Sequence, residues 1–253
     1  MGGLKRIRND CTFSQDSFRS NLPSEGPYFS IDLKDATDRF PISLQKRILT
    51  IATSKDYAET WASIMVDEEF DFQGKKLSYG QGQPMGAFSS FPMFALSHHV
   101  ILRIAGKRAG KPNYKNYSLL GDDIVLTNHD IVKQYKQILS NLKVSISIHK
   151  SYEGNLIEFA KRYIYNGNEV SGFQVGGLLE TWRSYPALFG FLKTTSSRGY
   201  LLSCASQVSF VKSLYTKMGL RDLSPRIALK YERMSIFSQF FTNGQPAFLQ
   251  EQP

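Results

Sequence analysis

The sequence predicts an α+β fold: a mixed core of strands and helices, followed by a helical cap. Three observations predict it. Tyr28-Phe29-Ser30-Ile31-Asp32-Leu33 alternates in the manner of a buried strand. Two short apolar runs, 117–120 and 124–126, flank a tight Gly121-Asp122-Asp123, which is a hairpin signal. From Leu179 onward the pattern turns helical. The resulting order is strand, helix, helix, hairpin, helix, strand, hairpin and then helices.

Each element has its own warrant. Residues 1–27 are polar and rich in Ser, Asn, Pro and Gly, so they read as a loop-rich lead-in. Pro41 stands where a helix begins, and Ile42, Leu44, Ile48, Leu49 and Ile51 continue it. Residues 70–80 read as a hairpin turning at Gln73-Gly74. A Gly-rich stretch, Gly80-Gln81-Gly82-Gln83-Pro84-Met85-Gly86, leads into an apolar helix over residues 89–104. Residues 129–142 read as a helix with Ile131, Val132, Tyr135, Ile138, Leu139 and Leu142 on one side. Residues 145–148 read as a strand, and Asn166-Gly167 marks a further hairpin within residues 159–173.

Composition narrows the class. The 253 residues suffice for one large domain or two small ones. Apolar residues make up 42% and charged residues 21%, which fits a packed globular chain. The net charge of +9 and pI of about 9.4 favour a polyanionic partner, nucleic acid or an anionic membrane face. No run of about 18 uncharged apolar residues occurs, so no membrane-spanning helix is expected. The basic start, residues 1–8, has no apolar stretch behind it and is no secretory signal. Cys11 and Cys204 are too far apart for a metal knuckle, and two cysteines make no disulfide framework.

Acids inside apolar strands need a reason, because burying charge is costly. Asp32 lies in the first strand, and Asp122 and Asp123 lie at a hairpin tip. If the two elements pair, three carboxylates converge, an arrangement a divalent cation stabilises. Oxygen-only ligands suit Mg²⁺ or Mn²⁺. Two such ions can activate a 3′-hydroxyl and stabilise a leaving pyrophosphate, the chemistry of nucleotidyl transfer.

The motifs and their order carry a resemblance. Residues 30–41, Ser-Ile-Asp-Leu-Lys-Asp-Ala-Thr-Asp-Arg-Phe-Pro, resemble polymerase motif A of mitoviruses and their narnavirus and levivirus relatives. Gly82-Gln83-Pro84-Met85-Gly86-Ala87-Phe88-Ser89-Ser90, running on to Ala95-Leu96-Ser97-His98-His99, resembles their motif B. Residues 117–124 resemble motif C, 146–151 the end of motif D, and 158–163 the motif after it. The ordered set is similar to the RNA-dependent RNA polymerase of mitoviruses.

That resemblance implies a fold and roles. The fold would be a polymerase palm over residues 28–175, a small antiparallel sheet backed by helices, then a helical thumb over residues 176–253. Residues 1–27 would be a remnant upstream of the palm. Asp32, Asp122 and Asp123 would hold Mg²⁺ or Mn²⁺ and carry catalysis. Lys150 would sit near the pyrophosphate as a general acid, though it also reads as a solvated strand-end lysine. Asp38 would lie near the incoming ribose and select the 2′-hydroxyl, with Ser89 or Ser90 helping. Gly86 would let the motif B loop approach template and nucleotide. Partners would be an RNA template and primer and nucleoside triphosphates, and the compartment would be the mitochondrion. Arg183, Lys193, Arg198 and Lys212 would line an RNA groove or form a solvated helix face.

Two departures from the polymerase pattern set further expectations. Many viral polymerases carry Asn four residues after the motif B hydroxyl, where this chain has Phe94. His98 and His99 then either stand in beside Asp38 or pack as satisfied core histidines. Only 31 residues precede Asp32, so the fingers and their triphosphate-gripping cations are expected to be missing. The chain would then be a fragment of a viral polymerase, or a viral sequence captured by a host genome such as a plant mitochondrial one. An inactive relic that at most binds RNA through its charge stays open beside an active polymerase. A metal-dependent nuclease is a third reading, disfavoured by the nucleotide-selecting motif B.

Overall fold

The computed structural model describes residues 2–180 and 185–200, with the single positions Ser213, Leu229 and Arg233. The chain divides into two compact units, Met1–Asn168 and Glu169–Pro253. The first is built on a four-stranded antiparallel sheet. β1 (Tyr28–Ile31) lies centrally between β5 (Asp123–Leu126) and β6 (Tyr152–Gly154), and β4 (Tyr117–Leu120) flanks β5.

Both faces of this sheet are covered, which is why β1 is buried along its whole length. Alternation sends Phe29, Ile31 and Leu33 to one face with Leu119, Ile124 and Leu126. There they meet two helices, α5 (Ser90–Arg108) and α6 (His129–Asn141), through Ala95, Ile101, Leu102, Ile131, Tyr135 and Leu139. Asn128 caps α6 by accepting the Ile131 N–H at 3.2 Å. Tyr28 and Val125 face the other way, onto Ile157, Phe159 and Ile164. Those three belong to a second sheet of β7 (Leu156–Phe159), β8 (Arg162–Tyr165) and β9 (Asn168–Glu169).

The 1–27 segment is irregular, with two 3₁₀ turns and the one-turn helix α1 (Phe18–Asn21). It is nevertheless packed into the unit. Residues 9–11 add to the free edge of β4: Leu119 N–H donates to the Asn9 carbonyl at 3.0 Å, and Cys11 N–H to the Leu119 carbonyl at 2.9 Å. The polar composition concealed this, because Asn9 and Asp10 are buried by hydrogen bonding rather than by apolarity. Asn9 Nδ2 donates to the carbonyls of Lys115 and Tyr117 at 2.7 and 2.6 Å. Cys11 is a buried free thiol whose pKa is raised, chiefly by burial.

After β1 the chain makes the short helix α2 (Ala36–Arg39), then α3 (Ile42–Ala52) and α4 (Lys55–Val66). Ser54 separates α3 from α4 and caps α4 by accepting the Tyr57 N–H at 3.2 Å. The hairpin β2 (Phe70–Phe72) and β3 (Lys75–Leu77) turns at Gln73-Gly74, both with positive φ, as expected of the I′ turn. Asn166-Gly167, with φ of 48° and 79°, makes the same turn between β8 and β9.

Residues 145–148 correct the sequence reading. Only Leu33 and Ile146 pair there, as an isolated bridge, and Ile148–Lys150 form a 3₁₀ turn. Two backbone bonds, Lys34 N–H to Ser145 and Ser147 N–H to Asp32, are all the sheet supplies before Lys150 N–H turns back to the Ser147 carbonyl.

In the second unit α7 (Val175–Glu180) and α8 (Tyr185–Ser197) are described, with Leu188, Phe191 and Leu192 buried. Lys193 lies exposed on α8, and Arg198 follows it and donates to the Gly172 carbonyl at 3.1 Å. Arg183, Lys212, Cys204 and most of the expected 176–253 helical region lie outside the described residues. No helix among the described residues is long and apolar enough to cross a membrane.

Candidate active site

Register brings the acids together. β1 pairs with β5 as Phe29↔Leu126, Ser30↔Val125 and Ile31↔Ile124. One step further sets Asp32 opposite Asp123, on the sheet face shared by Ser30 and Val125. Asp122 occupies the two-residue turn between Leu120 and Asp123. Gly121 has φ of 60° and Asp122 has no positive φ, the pattern of a II′ turn that wants glycine first. A side chain at Gly121 would also strike the Phe91 ring, at 2.8 Å from its Cε2.

The electrostatics show one shared field. Burial pushes the Asp123 pKa up to about 6, and the negative charges of Asp122 and Asp32 add to it. The Ala160 N–H, donating to Asp123 Oδ2 at 3.3 Å, works the other way. Asp122 is also raised, first by desolvation and then by Asp32, while its own N–H and Lys150 oppose the shift. The Lys150 ammonium lies 3.5 Å from Asp32 Oδ2, with the lysine 69% exposed and the aspartate 14%. Lys150 is thus in the site, as the countercharge of Asp32. The Asp32 backbone is fixed by Ser151 Oγ, which accepts its N–H at 3.3 Å, and by Ser147 N–H, which donates to its carbonyl at 2.8 Å.

These acids suit a hard divalent cation. All donors are carboxylate oxygens, and a cation would offset the burial, and the lesser charge repulsion, that raise Asp122 and Asp123. Among the described residues no three His, Cys, Asp or Glu side chains already form a closed ligand cluster.

The turn beside Asp123 is strained. Ala160 and Lys161 connect β7 to β8 with φ of 51° and 59°, a I′ turn without glycine or asparagine. Ala160→Gly would relieve about 1–2 kcal/mol of left-handed strain and lose about 0.4–1 kcal/mol through the freer unfolded chain. Chemical denaturation is expected to show a net gain of about 0.5–1 kcal/mol; a loss would contradict it.

A second cluster joins motif A to motif B. Gly82 and Gln83 press on the 37–39 turn: Gln83 N–H donates to the Thr37 carbonyl at 2.9 Å, and a Cβ at Gly82 would overlap the Thr37 and Asp38 backbone. Gln81 Nε2 donates to the Arg39 carbonyl at 2.6 Å. Asp38 is exposed, and its carboxylate bonds the Tyr79 hydroxyl, whose pKa is raised by burial and then by that charge and bond.

The two serines are already engaged. Buried Ser90 Oγ accepts from Gln83 Nε2 at 2.9 Å, and Ser89 Oγ accepts from Trp61 Nε1 at 2.8 Å. Gly86, with φ of 92°, is exposed in open space, so its glycine is needed for the backbone conformation.

The histidines take the packed alternative. His99 lies with Nε2 3.1 Å from Asp10 Oδ2 and Nδ1 3.0 Å from the Tyr117 hydroxyl. His98 is fully buried, with Nδ1 2.8 Å from the Gly121 carbonyl and Nε2 2.5 Å from the Tyr135 hydroxyl. Phe94 sits edge-on to Phe40 at 4.8 Å, filling the core behind motif A. Sequence reasoning missed Tyr79 and Trp61 as neighbours of the site, and gave Gly82, Gln83 and Ala160 no role within the motifs that contain them. Only the Gly-rich 80–86 stretch carried a signal for any of them, since close backbone approach needs glycine.

Known proteins resemble this chain in sequence or in fold. The RNA-directed RNA polymerase of Cryphonectria parasitica mitovirus 1 is 39% identical over 167 residues, 63% of this chain and 20% of that protein. The uncharacterised mitochondrial protein AtMg01110 of Arabidopsis thaliana is 35% identical over 181 residues, 64% of this chain and 70% of that one. Among solved structures, Candida albicans telomerase aligns over 95% of this chain and 49% of its own with a TM-score of 0.59 at 12% identity. The RNA-dependent RNA polymerase of a human picobirnavirus aligns over 75% of this chain and 43% of its own, with a TM-score of 0.51 at 13% identity. Those two likenesses concern the fold, which is that of polymerases. Residues 2–242 match the family described as mitovirus RNA-dependent RNA polymerase, and the chain belongs to that family.

Proposed function

We propose that the chain forms the palm and thumb of an RNA-directed RNA polymerase that performs template-directed nucleotidyl transfer with Mg²⁺ or Mn²⁺. The observation that carries this reading is the β1–β5 register, which sets Asp32 against Asp122 and Asp123 although 90 residues separate Asp32 from Asp122. The palm would cover residues 28–175 and the thumb 176–253. The partners would be an RNA template and primer and nucleoside triphosphates. The mitochondrial names of the Arabidopsis relatives favour that compartment.

In this reading Asp32 and Asp122 hold the ions, and Asp123 is steadied beside them by the Ala160 N–H. When bound, the ions would activate the primer 3′-hydroxyl and neutralise the leaving pyrophosphate. Lys150 brings a proton-bearing Nζ to the same place and would protonate the departing pyrophosphate. Asp38, held by Tyr79, would accept a hydrogen bond from the ribose 2′-hydroxyl. Ser89 and Ser90 support that selection through the loop, since their hydroxyls bind Trp61 and Gln83.

Primer extension on an RNA template, with and without Mg²⁺ or Mn²⁺, tests the reading. Metal-dependent extension is expected. Absence of extension with salt-sensitive RNA binding intact would favour an inactive RNA-binding protein instead. In the same assay Asp38→Ala should lower the preference for ribonucleotides over deoxyribonucleotides about 10–100-fold, because a site that hydrogen-bonds a substrate hydroxyl rejects the analogue lacking it. An unchanged ratio would remove Asp38 from sugar selection.

A further inference from the structure

We propose that His98 is a positioning residue: its Nδ1–H, donated to the Gly121 carbonyl, sets where the Asp122–Asp123 turn stands relative to Asp32. This rests on the metal-site reading above and adds a residue to it.

The geometry fixes the direction of both bonds. The Gly121 carbonyl can only accept, so Nδ1 carries the proton at 2.8 Å. Nε2 of a neutral imidazole then accepts, and the Tyr135 hydroxyl donates to it at 2.5 Å. The ring is neutral, since burial lowers its pKa to about 4. Tyr135 is fully buried and stacks on the imidazole, with centroids 5.7 Å apart and planes 17° apart. Phe40 and Phe94 border the ring, at 6.2 and 5.8 Å. The histidine therefore has one rotamer and one tautomer available to it.

What it holds is the first residue of the turn. Gly121 precedes Asp122 directly, and its side-chain-free backbone lies against Phe91 of α5. β4 and β5 fix the two ends of the hairpin, but pairing ends at Leu120↔Asp123. The turn itself has few other restraints. The His98 bond supplies one from the opposite sheet face, the side of α5 and α6, while Asp123 is steadied from the β7–β8 side by Ala160. The turn is thereby pinned from both faces. This is the relation of an outer-shell group to metal ligands, whose loss typically costs 10–100-fold in metal affinity.

His98→Asn and His98→Gln separate the two bonds. Asn places its amide near the former Nδ1 and keeps the donation to Gly121. Gln reaches toward the former Nε2 and loses it. Mn²⁺ binding, measured by electron paramagnetic resonance well below the melting temperature, is the readout, with Asp122→Asn as reference. His98→Gln should bind Mn²⁺ about tenfold more weakly, and His98→Asn within about threefold of the unsubstituted protein. Equal affinities in all three, or equal weakening in both variants, would overturn the proposal. Mn²⁺ binding that ignores Asp122→Asn would overturn the metal-site reading itself, and this proposal with it. ¹⁵N resonances of the unsubstituted protein give a check that needs no variant: protonated Nδ1 and bare Nε2 are expected at His98, and the opposite tautomer would overturn the assignment.

Discussion

Asp122→Asn is expected to lower primer extension roughly a thousandfold while leaving RNA binding within about twofold. A bound cation contributes several kcal/mol of charge stabilisation in the transition state, and about 4 kcal/mol is a thousandfold in rate. Asn keeps the shape of the side chain but removes the charge that would hold the ion. Asp122 is exposed at a turn tip, so the fold has little reason to suffer. Its removal also takes one repelling charge away from Asp123, whose pKa should fall from about 6 toward the ordinary carboxylate range. In this reading RNA affinity would follow the net charge of +9 and rise slightly on losing an acid. A variant that extends primers at a tenth of the normal rate or better would remove Asp122 from the chemistry.

Gly82→Ala is expected to act through the backbone rather than through charge. A methyl there would occupy the space of the Thr37 and Asp38 backbone, which cannot turn aside as a flexible side chain does. The Gln83 N–H bond to Thr37 would stretch as the loop lifts. Overpacking of this kind costs about 1–3 kcal/mol. For a unit of 168 residues that is a fall in melting temperature of about 2–12 °C. Because the displaced residue is Asp38, the variant should also lose ribose preference, as is expected of Asp38→Ala. A melting temperature within 1 °C of the unsubstituted protein would show that the loop and the motif A turn move freely, counter to the contact described.

Much of the site was legible because it sits on strong local signals. Gly121-Asp122 between apolar runs announces a tight hairpin, and Asp32 in an apolar strand announces a charge with a purpose. The pairing of that strand with that hairpin is not local, and only their shared chemistry hinted at it. Gln73-Gly74 and Asn166-Gly167 were readable because positive φ wants such residues. The Ala160-Lys161 turn was not, since neither residue advertises positive φ; the register of Phe159 with Arg162 and the bond to Asp123 impose it. α4 was missed because its buried stripe is only Ala58, Trp61 and Met65. Residues 145–148 have the apolar alternation of a strand, yet the partner edge offers pairing only at Leu33. His98 illustrates a further limit. A histidine on an apolar helix reads as core, and its role emerges only once the Gly121 carbonyl is seen beside it.

The buried polar groups follow one rule across the unit. Asp10, His99 and Tyr117 form a closed chain in which the carboxylate accepts from Nε2 and the phenol donates to Nδ1. It ties the 1–27 segment to α5 and β4, so that both histidines of α5 anchor the strand hairpin that bears the acids, one at its stem and one at its turn.

The central claim is that Asp32 and Asp122 share a divalent cation. Anomalous diffraction at the manganese edge, from crystals grown with Mn²⁺ and a nucleoside triphosphate, tests it most directly. A manganese peak within coordinating distance of carboxylate oxygens from both residues is the predicted result. Crystals that hold the nucleotide or Mn²⁺ elsewhere, with no peak between these two strands, would contradict it.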